Sequence, residues 1–231
     1  MGDEGTPMLN QSPIVSAEQV RPYTFSQENG VIAMMDRGGS NVAKLAQQMP
    51  GTIKLLVTAD SNNPDCKIRQ RREEPQIPYV AFDLPGYEKK HGVERGDYLA
   101  AVLHGPAAKF KGMEDYEGVL KVRADACYEL DYLIAEACEH LGIRQNAPFV
   151  ALGMMQLLSP EFVRKNFILN VHPGDLTKYS VEGRERGKRT IVGDAWVASA
   201  KALAAGHETL YSSLHLMTAD MDAGPVFMRG Y

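Results

Sequence analysis

Asn170 and His172 bring an amide donor and a titratable imidazole two residues apart, at the end of the apolar stretch Phe167-Ile168-Leu169-Asn170-Val171-His172. On a strand this spacing sends both side chains off one face. Pro173 then ends the ladder, because it has no N–H to donate and biases His172 toward an extended backbone. The pair thus stands at a strand end, where open α/β sheets hold their ligands. Donor and base side by side suit proton transfer and polar recognition, although Asn-x-His-Pro also closes ordinary turns.

A second candidate lies upstream. The run Val31-Ile32-Ala33-Met34-Met35 reads as a buried strand, Asp36-Arg37-Gly38-Gly39-Ser40-Asn41 as a glycine turn, and Val42, Leu45 and Ala46 as the start of a helix. Glycines let backbone approach a ligand, and free N–H groups at a helix start favour an anion. Gly38, Gly39, Ser40 and Asn41 can therefore bind a phosphate, or the last two can simply cap the helix. Neither the G-x-G-x-x-G fingerprint nor a P-loop Gly-Lys-Ser/Thr is present, which speaks against a dinucleotide dehydrogenase.

The remaining elements must carry these residues to one place. Strands are expected at 53–58, 78–83, 149–153 and 166–172, with a polar helix at 66–74 and another near 98–103. Leu130, Leu133, Ile134, Ala137, Cys138 and Leu141 mark one helix face, with Gly142 as its stop. Ser159 and Pro160 open a short helix before the Asn170 strand. A long polar loop, 174–192, precedes a helix at 196–205; a strand at 210–217 then sets Leu214 and Leu216 against Ser213 and His215. Asp222 lies in the turn before a last strand. The order predicts an α/β fold, a Rossmann-like, mostly parallel sheet with flanking helices. One catalytic domain is expected over 29–231, after a polar arm at 1–28, with the C-terminal end shortened.

Composition narrows the function classes. A net charge of −4 in 231 residues leaves no general basic footprint for nucleic acid or anionic lipid. No run is long and apolar enough to span a membrane, and the start lacks a secretion signal, so a cytoplasmic protein is expected. Cys66, Cys127 and Cys138 are odd in number and have no metal-ligand spacing, which favours buried or idle thiols. The basic residues Lys67, Arg69, Arg71 and Arg72 adjoin Glu73 and Glu74 and read as a solvated helix face.

In combination, these patches resemble the folate-dependent formyltransferases. Gly39-Ser40-Asn41 is similar to the family's substrate-phosphate loop, and the stretch from Gly153 through Met154, Met155, Gln156, Leu157 and Leu158 to Ser159-Pro160-Glu161 is similar to its folate-side loop and helix. Ile168-Leu169-Asn170-Val171-His172-Pro173 resembles its catalytic strand, and Met221-Asp222-Ala223-Gly224-Pro225-Val226 its acidic turn. The resemblance implies formyl transfer from 10-formyltetrahydrofolate to a small, phosphorylated amine, without metal. Glycinamide ribonucleotide of purine biosynthesis is the expected acceptor. By the same resemblance Asn170 and His172 would stabilise the oxyanion, and Asp222 would favour the charged imidazole and help remove the proton from the attacking nitrogen.

Three departures from the family pattern stand out. After His-Pro the chain reads Gly174-Asp175-Leu176-Thr177, the next segment is longer and contains Lys188-Arg189-Thr190, and the phosphate turn begins Arg37-Gly38-Gly39. Acceptor contacts come largely from such loops, so a hydrolase, a transferase for a sugar-nucleotide amine, and a non-catalytic folate or nucleotide binder stay open.

Overall fold

The apolar run of β1 (Val31–Met35), buried at every position, lies at the centre of a seven-stranded sheet. A strand with helices on both faces needs such continuous hydrophobicity. In the computed structural model, which describes residues 30–35, 40–58, 77–105, 107, 112–143, 147–152, 158–180, 187–192, 195–220 and 222–231, the other strands are β2 (Ile53–Thr58), β3 (Tyr79–Ala81), β4 (Phe149–Ala151), β5 (Ile168–His172), β6 (Ser212–Leu216) and β7 (Val226–Gly230). Their spatial order is β3-β2-β1-β4-β5-β6-β7. β1 to β5 pair in parallel, and β6 and β7 add antiparallel. This is the predicted α/β architecture.

The helices are α1 (Ser40–Gln48), α2 (Leu84–Lys90), α3 (Arg95–His104), α4 (Tyr116–His140), α5 (Pro160–Lys165) and α6 (Ala195–Ala204). The α4 stripe is real, with Ala126, Cys127, Leu130, Ile134 and Cys138 buried against β1, β2, β4 and β5 residues. It extends further N-terminally than the apolar pattern, because the Asp115 side chain accepts the Gly118 N–H and caps the first turn. Gly142, at φ +64°, ends it: Ile143 N–H bonds to the Cys138 carbonyl at 2.8 Å and Gly142 N–H to that of Glu139 at 3.1 Å. That turn carries Leu141, expected on the apolar face, out to 39 % exposure and packs Ile143 on the core instead.

α2 escaped the sequence reading, since Leu-Pro-Gly reads as a turn. Asp83 accepts the Gly86 N–H at 3.1 Å, and Leu84 and Glu88 turn inward. Ser159 caps α5 through the Phe162 N–H at 3.2 Å, as its type and Pro160 predict. Cys127 and Cys138 are buried thiols, and burial pushes both up from the usual range. The 66–74 helix, the basic cluster within it and Cys66 lie outside the described residues.

β1 lies between β2 and β4, so the chain order reverses there, and ligands of open α/β sheets bind in the crevice beyond the strand ends at such a point. Met34, Ala151 and Asn170 are level across β1, β4 and β5. Asn170 and His172 share a face with Ile168, which is fully buried in the main core, so the polar pair continues that core face to the sheet's C-terminal rim. Among the described residues no helix is long and apolar enough to cross a membrane.

Candidate active site

β5 carries Asn170 and His172 opposite His215 and Ser213 of β6. Period-two alternation puts all four on one side of the two-stranded ribbon. The polar face of β6 is the buried one, with Ser213 at 0 % and His215 at 2 % exposure, whereas Leu214 and Leu216 are only half-buried. A hydrophobic rule would invert this strand. What makes the arrangement tolerable is complete pairing.

The pairing begins at His215. Its Nδ1 faces the Leu216 carbonyl at 3.0 Å and donates to it, which leaves Nε2 as an acceptor. Asn170 Nδ2 donates to that nitrogen at 3.1 Å. Burial, partly opposed by the Asp222 carboxylate and the Leu216 bond, pushes the His215 imidazole down to about 4, so it stays neutral. The orientation of the Asn170 amide is thereby set, and its second N–H bonds none of the described residues.

His172 is 3 % exposed. Its Nδ1 lies 3.4 Å from Asp222 Oδ1 and its Nε2 3.2 Å from the Ile191 carbonyl. Both ring nitrogens face oxygen acceptors, to either of which a ring N–H can donate. Asp222 reaches the ring from the turn before β7 with a left-handed backbone, φ +53°. Aspartate accepts that conformation better than most residues. Gly224 follows because a Cβ there would lie 1.7 Å from the Leu216 carbonyl.

The turn after His172 is tied down by groups the sequence reading did not single out. Ser213 Oγ donates to the Gly174 carbonyl at 2.7 Å and accepts the Leu176 N–H at 2.9 Å. Buried Asp175 meets Arg229 Nη1 of β7 at 3.0 Å, and the Thr177 and Arg229 bonds hold its carboxyl below the usual range against the upward pull of burial. Gly174 is required, since a Cβ would sit 2.6 Å from the Ile191 carbonyl and 3.0 Å from His172 Nε2. The one signal in the sequence was that Ser213 shares a face with His215.

Asn170, His172 and Asp222, separated by up to 52 positions in the sequence (222 − 170), are thus brought together. Ser40 and Asn41 open α1, whose first turn holds no acidic residue, while Gly38 and Gly39 lie outside the described residues. So do Met154, Met155, Gln156 and Leu157. Leu158 is buried in the main core, and its carbonyl accepts the Tyr98 hydroxyl at 3.1 Å. Among the described residues no group of three His, Cys, Asp or Glu could hold a metal ion.

The depressed His215 has a measurable consequence. Below pH 6.5 the unfolded chain takes up a proton that the folded chain refuses until about pH 4, so folding stability falls as pH drops through that window. At 1.36 kcal/mol per pKa unit the loss is about 3 kcal/mol. His215→Gln should remove this share, and urea midpoints at pH 7 and pH 4.5 for both proteins check it; equal acid losses would refute it.

No protein-family model matches the sequence, and no curated protein matches it. Solved structures do. Phosphoribosylglycinamide formyltransferase from Streptococcus pneumoniae TIGR4 superposes with a TM-score of 0.50 at 16 % identity, covering 87 % of this chain and 80 % of that one. The enzyme from Coxiella burnetii gives 0.49 at 19 % identity, over 85 % of this chain and 69 % of its own. A third, from Anaplasma phagocytophilum, gives 0.47 at 19 %, over 86 % and 69 %. The chain therefore has the Rossmann-like α/β fold of the phosphoribosylglycinamide formyltransferases.

Proposed function

We propose that this protein is a formyltransferase that moves a formyl group from 10-formyltetrahydrofolate to a small phosphorylated amine, with glycinamide ribonucleotide of purine biosynthesis as the first acceptor to test. The observation that carries the reading is the convergence of Asn170, His172 and Asp222 at the rim of the sheet beside its topological switch point. The fold adds to it.

The roles follow from the partners. As the amine nitrogen attacks the formyl carbon, the carbonyl oxygen gains negative charge; the free N–H of Asn170 donates to it, and the charged His172 ring adds positive potential nearby. His172 is enclosed, so direct contact falls to Asn170 and to Asp222, whose side chain is 13 % exposed. Asp222, 3.4 Å from His172 Nδ1, takes the proton from the attacking nitrogen through water. The carbon–N10 bond then breaks, the carbonyl re-forms, and the proton that Asp222 took passes through water to N10 of the departing tetrahydrofolate, which restores the carboxylate. The same reading gives Gly38, Gly39, Ser40 and Asn41 the acceptor phosphate and Met154, Met155, Gln156 and Leu157 the folate, while Leu158 belongs to the core. The reading makes this a cytoplasmic enzyme of one-carbon metabolism that uses no metal, nucleic acid or membrane.

Tetrahydrofolate formation from 10-formyltetrahydrofolate, followed with and without amine, tests the reading. Turnover should need an amine, and glycinamide ribonucleotide should outperform amino-sugar nucleotides. Equal turnover without amine would make the protein a hydrolase, and none with any amine would leave a binder.

A further inference from the structure

We propose that Arg189, in the segment that departs from the formyltransferase pattern, is a positioning residue for the Asp222–His172 pair. It reaches the acidic turn with a fork: Nη1 donates to the Asp222 carbonyl, and Nη2 to the Gly224 carbonyl at 2.8 Å. Its Nε donates to the Tyr179 hydroxyl at 3.2 Å, so the guanidinium spans from the loop to the turn.

The backbone of the same segment is itself anchored. Residues 187–190 return antiparallel along 178–180, with Ser180 N–H bonded to the Lys188 carbonyl at 2.9 Å and Thr190 N–H to that of Lys178 at 3.0 Å. Two residues past Arg189, the Ile191 carbonyl meets His172 Nε2, and at the next residue Lys201 Nζ bonds the Val192 carbonyl at 2.8 Å. One short stretch thus touches both members of the pair. Its carbonyl orients the imidazole, and its guanidinium holds the turn that presents the carboxylate.

The turn needs holding. A non-glycine residue at positive φ persists where its surroundings over-determine it, and Asp222 is the only such residue among those described. Two carbonyls bound by one planar fork fix the direction of that turn in a way a single ammonium cannot. Without it the carboxylate would drift from Nδ1, and an error of about 1 Å in a reacting constellation costs on the order of 10²-fold in rate.

The consequence for turnover rests on the formyl-transfer reading, so the test has a second readout that does not. Arg189→Met should lower kcat by about 10²-fold with KM changed only a few-fold, and Arg189→Lys should not restore it. Because Arg189 acts through Asp222, the same change in an Asp222→Asn background should cost less than about two-fold, Asn being tolerated at positive φ. Independently of turnover, hydrogen exchange at the Ala223 amide, which bonds the Asp220 carbonyl, should speed up at least about ten-fold relative to the β5 amides in Arg189→Met. Equal losses in both backgrounds, or unchanged exchange at Ala223, would overturn the proposal. Faster exchange in a protein that transfers no formyl group would uphold the positioning role and sink the formyl-transfer reading alone.

Discussion

Replacing Asn170 by Ala is expected to lower kcat by about 10²–10³-fold, the usual cost of losing one donor to a developing oxyanion. The amide is held by His215, a neutral acceptor locked through the Leu216 carbonyl, and so offers its other N–H without reorganising during the reaction. KM should move little, because in the proposed transfer the bond is made to charge that exists only in the transition state. Asn170→Asp is the sharper variant. It keeps the shape but puts a carboxylate where the oxyanion forms, and should lose at least as much. The truncation also leaves His215 Nε2 without its donor, at about 1 kcal/mol, so rates should be referred to folded protein by a thermal melt. A kcat within about three-fold of the parent would remove Asn170 from the mechanism.

Loss of the Arg123 charge should destabilise the fold by about 3–5 kcal/mol, the range for a buried ion pair stripped of one partner. Arg123 of α4 is fully buried, its Nε 3.1 Å from Glu88 Oε1 of α2 and its guanidinium 4.3 Å from the Tyr98 ring of α3. The contact is short, yet the two groups do not meet in hydrogen-bonding geometry, and Nη1 and Nη2 find no partner either among the described residues. Charge attraction and the Tyr98 face therefore compensate the guanidinium's burial only in part.

Two consequences are checkable by urea unfolding. In Arg123→Met, buried Glu88 loses the stronger of the two cations that oppose its burial and keeps only the weaker pull of Arg95; burial already raises its carboxyl, and loss of Arg123 raises it further. A carboxyl raised in the folded state favours folding at low pH and loses that benefit as pH rises through its folded value, so the variant's deficit should be larger at pH 7 than at pH 5. The double variant Arg123→Met with Glu88→Met should recover most of the stability, because apolar groups of similar volume need no partners. If the double variant were as unstable as the single one, the pair would hold the three helices by more than mutual neutralisation.

The formyltransferase-like fold rests on features legible in one dimension. Continuous apolar runs became parallel strands, since a strand covered on both faces can carry no polar alternation, and the caps at Ser159 and Gly142 act within a few residues of themselves. α2 and the first turns of α4 were harder to read, because Asp83 and Asp115 stabilise them through single side-chain caps rather than through periodicity.

Asn170 and His172 were visible because strand geometry alone decides that residues two apart share a face. The groups that the pair meets arrive from far along the chain. Antiparallel pairing of β6 brings His215 to Asn170, the turn before β7 brings Asp222 to His172, and the segment around Arg189 closes over both. No local rule predicts these contacts, since they depend on register, on a left-handed aspartate and on backbone carbonyls that carry no sequence signature. The sequence determined which groups could do chemistry, and tertiary structure decided which of them face each other, because pairing across strands is set by how the whole sheet packs.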